Sequence, residues 1–399
     1  MGPMVWAAPV LAVLAGALPA QGPAVELLLR NGTAVVVHDL RGAPDQGLEG
    51  QANGQRIRFA AGDVVVLAGV AARAVDLPSA WLSNDEVVRG ALAGGDSGGD
   101  RLQVVSPVLG RIDLPVERLA AFARAGEAFP LALRLPDGVG EALFQRAAVG
   151  FDLVAGTLHQ FGEQGVKFQP DGAAAPRWFG LSEFVALRIA DPAPRSTPAP
   201  VDLVTRAADR LGVVVRRFEA DVVKCERDGI EFDVRLTDVA CLSFAGTAKF
   251  ASDLRPSAVT ERGYDGDPVH PWRRDAACVG TPMVAAGRTH GKGFGVQAES
   301  RLSFVVPEGA SHFRTLVALD DSSAELGVAA DVDVRLLVGD GVKFEQKGLG
   351  AGVVRDTGLV AVRAGDVVTL EAGFGKGRDV GDRVDWLSPM FLFAGGRRP

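Results

Sequence analysis

Four successive stretches before residue 250 close in the same way, and that recurrence constrains the fold more than any single motif. Each ends in a strand-like run, a small or turn residue, an acid and a second apolar run. The first has Ile57-Arg58-Phe59 leading to Asp63-Val64-Val65-Val66-Leu67. The second has Ile112-Asp113-Leu114-Pro115 leading to Glu117 and the run Leu119 to Phe122. The third runs from Phe179 through Ser182 and Glu183 to Leu187, and the fourth from Val234 through Thr237 and Asp238 to Leu242. Ser182 and Thr237 are placed to cap a short helical turn, with the neighbouring acid at its positive end.

Upstream of each ending lie short apolar or alternating runs, such as Val25 to Leu29, Arg101 to Val105, Leu153 to Leu158 and Leu211 to Val215. Alternation at period two with glycine-rich breaks predicts short antiparallel strands. The expectation is a mostly β chain with four small antiparallel units, at residues 24–75, 78–127, 138–192 and 200–250. Each unit alone is too small to bury much, so the units should pack in pairs or as a continuous stack. A proline-rich linker, Pro192 to Pro200, separates the third from the fourth. A larger domain, 255–396, follows. Its strand-like runs Arg301 to Val306, Val332 to Val338 and Val367 to Leu370 suit a β-sandwich or jelly roll.

Residues 1–20 stand apart. They carry no charge, hold the apolar run Val5 to Leu18, and end in mostly small residues before Gln21. This is the layout of a signal peptide, so the protein is expected to be exported to a periplasm, a cell envelope or the extracellular space. No later run is long and apolar enough to span a bilayer. The net charge of -7 and the lack of a Lys/Arg cluster argue against a nucleic-acid partner. For the three cysteines, the alternatives are a Cys225–Cys241 bridge formed after export or three small buried apolar residues.

Several motifs invite a chemical reading. Gly95-Asp96-Ser97-Gly98-Gly99-Asp100 resembles the nucleophile loop of trypsin-like proteases. The only upstream histidine, His38, is too close in sequence for the paired barrels such a site needs, so a turn is expected. Gly291-Lys292-Gly293-Phe294-Gly295 has no helix pattern after it to cradle a phosphate. Asn31-Gly32-Thr33 fits a glycosylation sequon and equally a hairpin turn. Asp320 and Asp321, with Asp385, could form a loop cation site or stand as solvated turn acids. No carboxylate pair suits glycoside hydrolysis, and no stretch is left over for a catalytic barrel, so an enzyme is not expected.

Taken in order, the motifs of the last domain resemble a known family. Tyr264-Asp265-Gly266-Asp267, Arg274-Asp275, Gly280, Lys292 to Val296, Phe313-Arg314, Leu319-Asp320-Asp321, Val332 to Val338, Gly339-Asp340-Gly341 and Asp385-Trp386 look like the NPCBM type of carbohydrate-binding module, which is also found with glycoside hydrolase family 98. Two positions depart from the pattern: Gln297 where the family often has His, and Ala318 where it has Gly. The resemblance implies a galactose-binding-like β-sandwich, a glycan or polysaccharide partner, and a structural calcium. Candidate sugar contacts are Arg288, His290 and Trp386, with Trp272 as a further aromatic. For Trp386 a core position competes, because an inward Trp386 would leave Asp385 facing solvent. The leading expectation is an exported carbohydrate-binding protein with the repeats as scaffold. The alternative is a structural or adaptor protein that contacts other envelope proteins.

Overall fold

The computed structural model describes residues 22–393, apart from 74, 127–129, 196–198, 246–247, 265–269, 328 and 377–379. The signal-like segment 1–20 and the Asp265-Gly266-Asp267 part of the family pattern lie outside the described residues. Nearly all the regular structure is antiparallel strand, as the alternating runs require.

The same five-strand pairing recurs four times. In the first instance Val25–Leu29 pairs with both Ala34–Ala43 and Val64–Ala68, and Gly47–Ala52 lies between Ala34–Ala43 and Gln55–Phe59. In the third, Glu141–Arg146 pairs with Phe151–Gly162 and Ala186–Ile189, and Gly165–Pro170 continues the sheet to Arg177–Gly180. In the fourth, Val201–Thr205 pairs with Arg210–Ala220 and Val239–Phe244, and Val222–Arg227 and Ile230–Arg235 complete the order. The second keeps the scheme with its second strand broken at Gly90: Ser79–Leu82 pairs with Val87–Arg89 and Leu119–Ala123, while Ala91–Gly95, Arg101–Ser106 and Gly110–Pro115 form their own three-stranded sheet. Gly90 is required there, because a Cβ would lie 2.2 Å from the Val105 carbonyl oxygen.

In the first and third repeats the acid before the last strand shapes a turn, but not through the hydroxyls. Asp63 accepts from the Ala60 N–H and Glu183 from the Gly180 N–H, each three residues back. Thr237 sits inside the short 3-10 turn Leu236–Asp238, which has no side-chain cap, and Asp238 pairs with Arg206 instead. The protease-like loop is a hairpin turn in which Asp96 accepts from the Arg101 N–H at 2.9 Å. Asn31-Gly32-Thr33 is likewise a turn, with Thr33 N–H donating to Asn31 at 2.9 Å.

The last strands join the repeats in a nested order. Val64–Ala68 pairs with Val239–Phe244, linking the first repeat to the fourth, and Leu119–Ala123 pairs with Ala186–Ile189, linking the second to the third. One apolar core runs through all four, from Leu27 and Leu67 to Phe122, Phe168, Leu203 and Leu242. At the junction of the second and fourth repeats Glu86 is almost fully buried. It accepts from Arg118, Arg195 and Arg227 and from the Gly212 N–H. Arg195 comes from the proline-rich linker, which is thereby tied down instead of acting as a free spacer.

The C-terminal part is a two-sheet sandwich. One sheet runs Arg273–Arg274, Gly293–Gln297, Arg383–Phe393, Ala310–Leu319 and then the short Arg355–Asp356. The other runs Ala258–Glu261, Ser300–Val305, Val367–Phe374, Asp331–Val338, Gly341–Gly350. Phe294, Phe304, Phe313, Val317, Leu336, Leu370 and Trp386 fill the space between them. The sandwich starts earlier than Arg255. Ala248–Phe250, read in sequence as the end of the fourth repeat, pairs with Arg383–Phe393 and buries Phe250 completely.

All three cysteines are free and buried. A Cys225–Cys241 bridge is not formed, because Cys225 points into the repeat core and Cys241 into a different apolar layer. That second layer is the seam between repeats and sandwich. It unites Leu28, Val65 and Val66 of the first repeat, Val204 and Cys241 of the fourth, and Phe250, Met390 and Leu392 of the sandwich.

Candidate functional site

The glycine-rich stretch 291–295 builds this seam. Gly295 sits in the sheet where the segment Ala276 to Cys278 lies flat across its outer face. A Cβ there would approach the Ala276 carbonyl oxygen and the Cys278 nitrogen to 2.4 Å. Gly291 faces Val204 and Cys241 of the fourth repeat, close enough that a Cβ would meet Val204 at 3.2 Å. The Gly pattern therefore serves close backbone packing.

The Arg288 side chain is part-exposed, whereas His290 is buried. Their strand, Arg288–His290, forms a hairpin with Met283–Ala285 that reaches onto the last strands of the first and fourth repeats. Arg288 pairs with Glu26, and Thr289 accepts the Ala72 N–H at 2.5 Å. His290 is 9% exposed; burial, with Arg288 nearby, pushes its pKa down to about 4, so the imidazole is neutral.

Trp386 is wholly buried between the sheets and offers no face to a sugar. Its neighbour Asp385 does point to the other side of the sheet, as strand alternation demands, yet it is not solvated. The segment around Cys278 and the Met283–Ala285 hairpin cover that side with a small apolar cluster of Ala277, Met283, Ala318 and Leu387. Burial first, then the adjacent Asp320, holds the Asp385 carboxyl well above the usual carboxylate range.

Asp320 and Asp321 are both engaged by backbone N–H groups. Asp321 accepts the N–H groups of Ala286 and Gly287 at 2.9 and 2.8 Å. Asp320 accepts those of Val284 and Ser322, both at 3.0 Å. The two acids are thus committed to fixing the hairpin and the following turn. Calcium needs six to eight oxygens, and among the described residues no group of three or more His, Cys, Asp or Glu side chains is arranged to hold a metal ion.

The seam instead encloses a cleft of about 320 Å³ where the second repeat, the fourth repeat and the sandwich meet. Trp272, Arg274, Asp275 and His290 enter from the sandwich, Trp81 and Arg89 from the second repeat, and Arg210 from the fourth. Arg210 binds Asp275 at 2.5 Å. Burial alone would raise the Asp275 pKa, but Arg210 and Lys292 reverse this and hold it down to about 2. Behind this pair, Lys292 lies 2.6 Å from Asp202 of the fourth repeat and 2.6 Å from Asp253 of the sandwich. The family-pattern lysine is therefore a cross-seam clamp. Arg89 lies over the Trp81 ring, 5.6 Å from its centroid. The edge of the Trp272 ring meets Phe294, with centroids 6.0 Å apart. Two indoles, several guanidinium groups and a neutral imidazole give the cleft both apolar faces and directed donors, the mixture small-ligand sites use.

Of the residues singled out from sequence, Trp272 and His290 come together here, with Arg274, Asp275, Gly280 and Gly291. Trp81, Arg89 and Arg210 had no signal of their own. They reach the cleft only because distant units pack against one another.

Residues 247–392 match the model of the NPCBM/NEW2 domain. No curated protein matches the chain. Among solved structures, CBM51 from Clostridium perfringens GH95, in complex with methyl-galactose, is 17% identical at a TM-score of 0.33, covering 37% of this chain and 100% of that one. CBM51-2 with the INT domains of Clostridium perfringens ZmpB, in complex with GlcNAc, is 18% identical at 0.33, covering 46% of this chain and 42% of that one. The tandem CBM51 modules of Sp3GH98, a family 98 glycoside hydrolase from Streptococcus pneumoniae, are 11% identical at 0.31, covering 92% and 88%.

Proposed function

We propose that this is an exported, non-enzymatic carbohydrate-binding protein, with recognition centred on the C-terminal sandwich and the four repeats as its scaffold. The observation that carries the reading is the family match over residues 247–392, which spans the whole sandwich. The seam cleft supports it. Sugar rings present C–H faces that stack on indoles and hydroxyls that take hydrogen bonds from charged donors, and Trp272 and Arg274 supply both.

The repeats act here as more than a spacer, since they furnish one wall of the cleft and bury one face of the sandwich. A glycan array with the full chain tests the reading, with Trp272→Ala as the paired variant. Selective retention of particular glycans, lost in the folded variant, is the expected result. A full chain that retains no glycan would remove the proposal. Export is tested separately by N-terminal sequencing of native material, which should begin near Leu18 or Gln21; a start at Met1 would contradict it.

A further inference from the structure

We infer that the seam cleft takes an acidic saccharide, one whose ring carries a carboxylate. This rests on the carbohydrate-binding reading above and narrows it to a substrate class.

The charge inventory carries the argument. Four arginines line the cleft, Arg89, Arg210, Arg273 and Arg274, against two aspartates, Asp85 and Asp275. His290 adds no charge at neutral pH. Arg210 and Asp275 neutralise each other. Neither Arg89 nor Arg274 makes an ion pair among the described residues. Arg274 donates to the Leu254 carbonyl at 3.1 Å and Arg89 to the Ala208 carbonyl, so both are steered by neutral oxygens. Arg89 is only 8% exposed, and the carboxylate acting on it, Asp209, is itself wholly buried and outside the cleft lining, where it accepts from the Arg89 N–H, Ser106 and Thr205. Elsewhere in the protein buried arginines are paired: Arg118 and Arg227 with Glu86, Arg314 with Asp356. The whole chain is acidic, with a net charge of -7, so a cationic cleft is a local arrangement and not a reflection of composition.

An arginine fork matches a carboxylate in a plane, with two parallel N–H···O bonds. Such a group, entering between Trp81 and Trp272, supplies the carboxylate that Arg274 lacks among the described residues while the rest of the ring lies against the indoles. The volume of about 320 Å³ is at the small end of ligand sites, which suits one or two sugar units.

Isothermal titration of the full chain compares digalacturonic acid with galactobiose, its neutral counterpart, at low and high salt. The expected result is a preference for the acid of on the order of tenfold, the worth of one charge-assisted contact. The preference should shrink at high salt and vanish in Arg274→Gln. Trp272→Ala should weaken both sugars. Melting curves confirm that each variant is folded, and Arg89→Gln gives a second reading should Arg274→Gln fail to fold. Equal affinity for the two sugars, or an acid preference untouched by either arginine change, overturns this inference and leaves the broader reading standing. Failure of both sugars, with no glycan retained on the array, overturns both.

Discussion

Replacing Lys292 with Met removes one charge from the seam and keeps most of the side chain's bulk. The ammonium lies 2.6 Å from Asp202, 2.6 Å from Asp253 and 3.5 Å from Asp275. Its own pKa is held up by Asp275 and Asp202, against a burial effect that would lower it. Without the lysine, Arg210 is left to face Asp202 and Asp275, Asp253 loses its ion-pair partner, and Asp275 is 3% exposed. Removing one partner of a buried ion pair costs about 3–5 kcal/mol. Asp202 and Asp253, at 24% and 39% exposed, gain relief from water, which places the expected loss near the lower bound, ~3 kcal/mol. Urea unfolding followed by tryptophan fluorescence at pH 7 and pH 5 measures it. In the variant Asp275 and Asp253 lose the lysine that lowers their folded pKa values, and those values rise. The penalty is then fully present above those raised values and fades as protonation sets in, so it should be smaller at pH 5. Lys292→Met combined with Asp202→Asn should recover part of the loss, since it removes one of the stranded charges. Because the lysine ties the fourth repeat to the sandwich, the single variant should also separate two unfolding steps. An unchanged midpoint at pH 7, or a loss that does not diminish at pH 5, would refute the clamp.

Trp386→Ala should cost about 3–5 kcal/mol in the same assay, because the indole is wholly buried; a variant with wild-type stability would mean the core is misassigned. Asp385→Asn should stabilise the protein at neutral pH. The folded pKa of Asp385 is raised above its unfolded value, so its contribution is complete below the unfolded pKa and is lost as pH rises through the folded one. Each unit of that rise is worth about 1.4 kcal/mol above both values. The gain should disappear near pH 3, and an equal gain at pH 3 and pH 7 would contradict the protonation argument. A fragment starting at residue 255 should melt less cooperatively than one starting at 247, since it lacks Phe250 and the strand on Arg383–Phe393; equal melting would show that strand to be dispensable.

The strands were legible because period-two alternation and glycine breaks are local properties, and they place most of them correctly. The join between repeats and sandwich was less so. The run Ala248 to Phe250 reads as one more strand of the fourth repeat, and only its pairing with Arg383–Phe393 assigns it to the sandwich. Alternation also gave the right direction for Trp386, but not the surroundings of Asp385. A strand pattern says which way a side chain points and not what else folds over that face. Cys225 and Cys241 illustrate the same limit, since two strands of one repeat, with Ile230–Arg235 between them in sequence, carry them into separate apolar layers. For the cleft, the sequence offered Trp272 and His290, and the family pattern Arg274 and Asp275. Trp81 and Arg89 lie far upstream, and nothing local marks them as part of one site.

The nested joining of the repeats sets an order of assembly. During synthesis, the second and third repeats can pair their last strands as soon as Ile189 has left the ribosome. The first repeat emerges before either, yet the strand that covers the edge of Val64–Ala68 does not exist until Phe244 has been made. For that interval the nascent chain carries an uncovered, wholly apolar edge, the kind of surface that pairs with neighbouring chains. Closing the outer pair also brings together segments far apart along the chain, which makes it a slow step. An N-terminal fragment cut short of the fourth repeat is therefore expected to aggregate even though each of its strands is sound. The hazard lies in the timing of the partner.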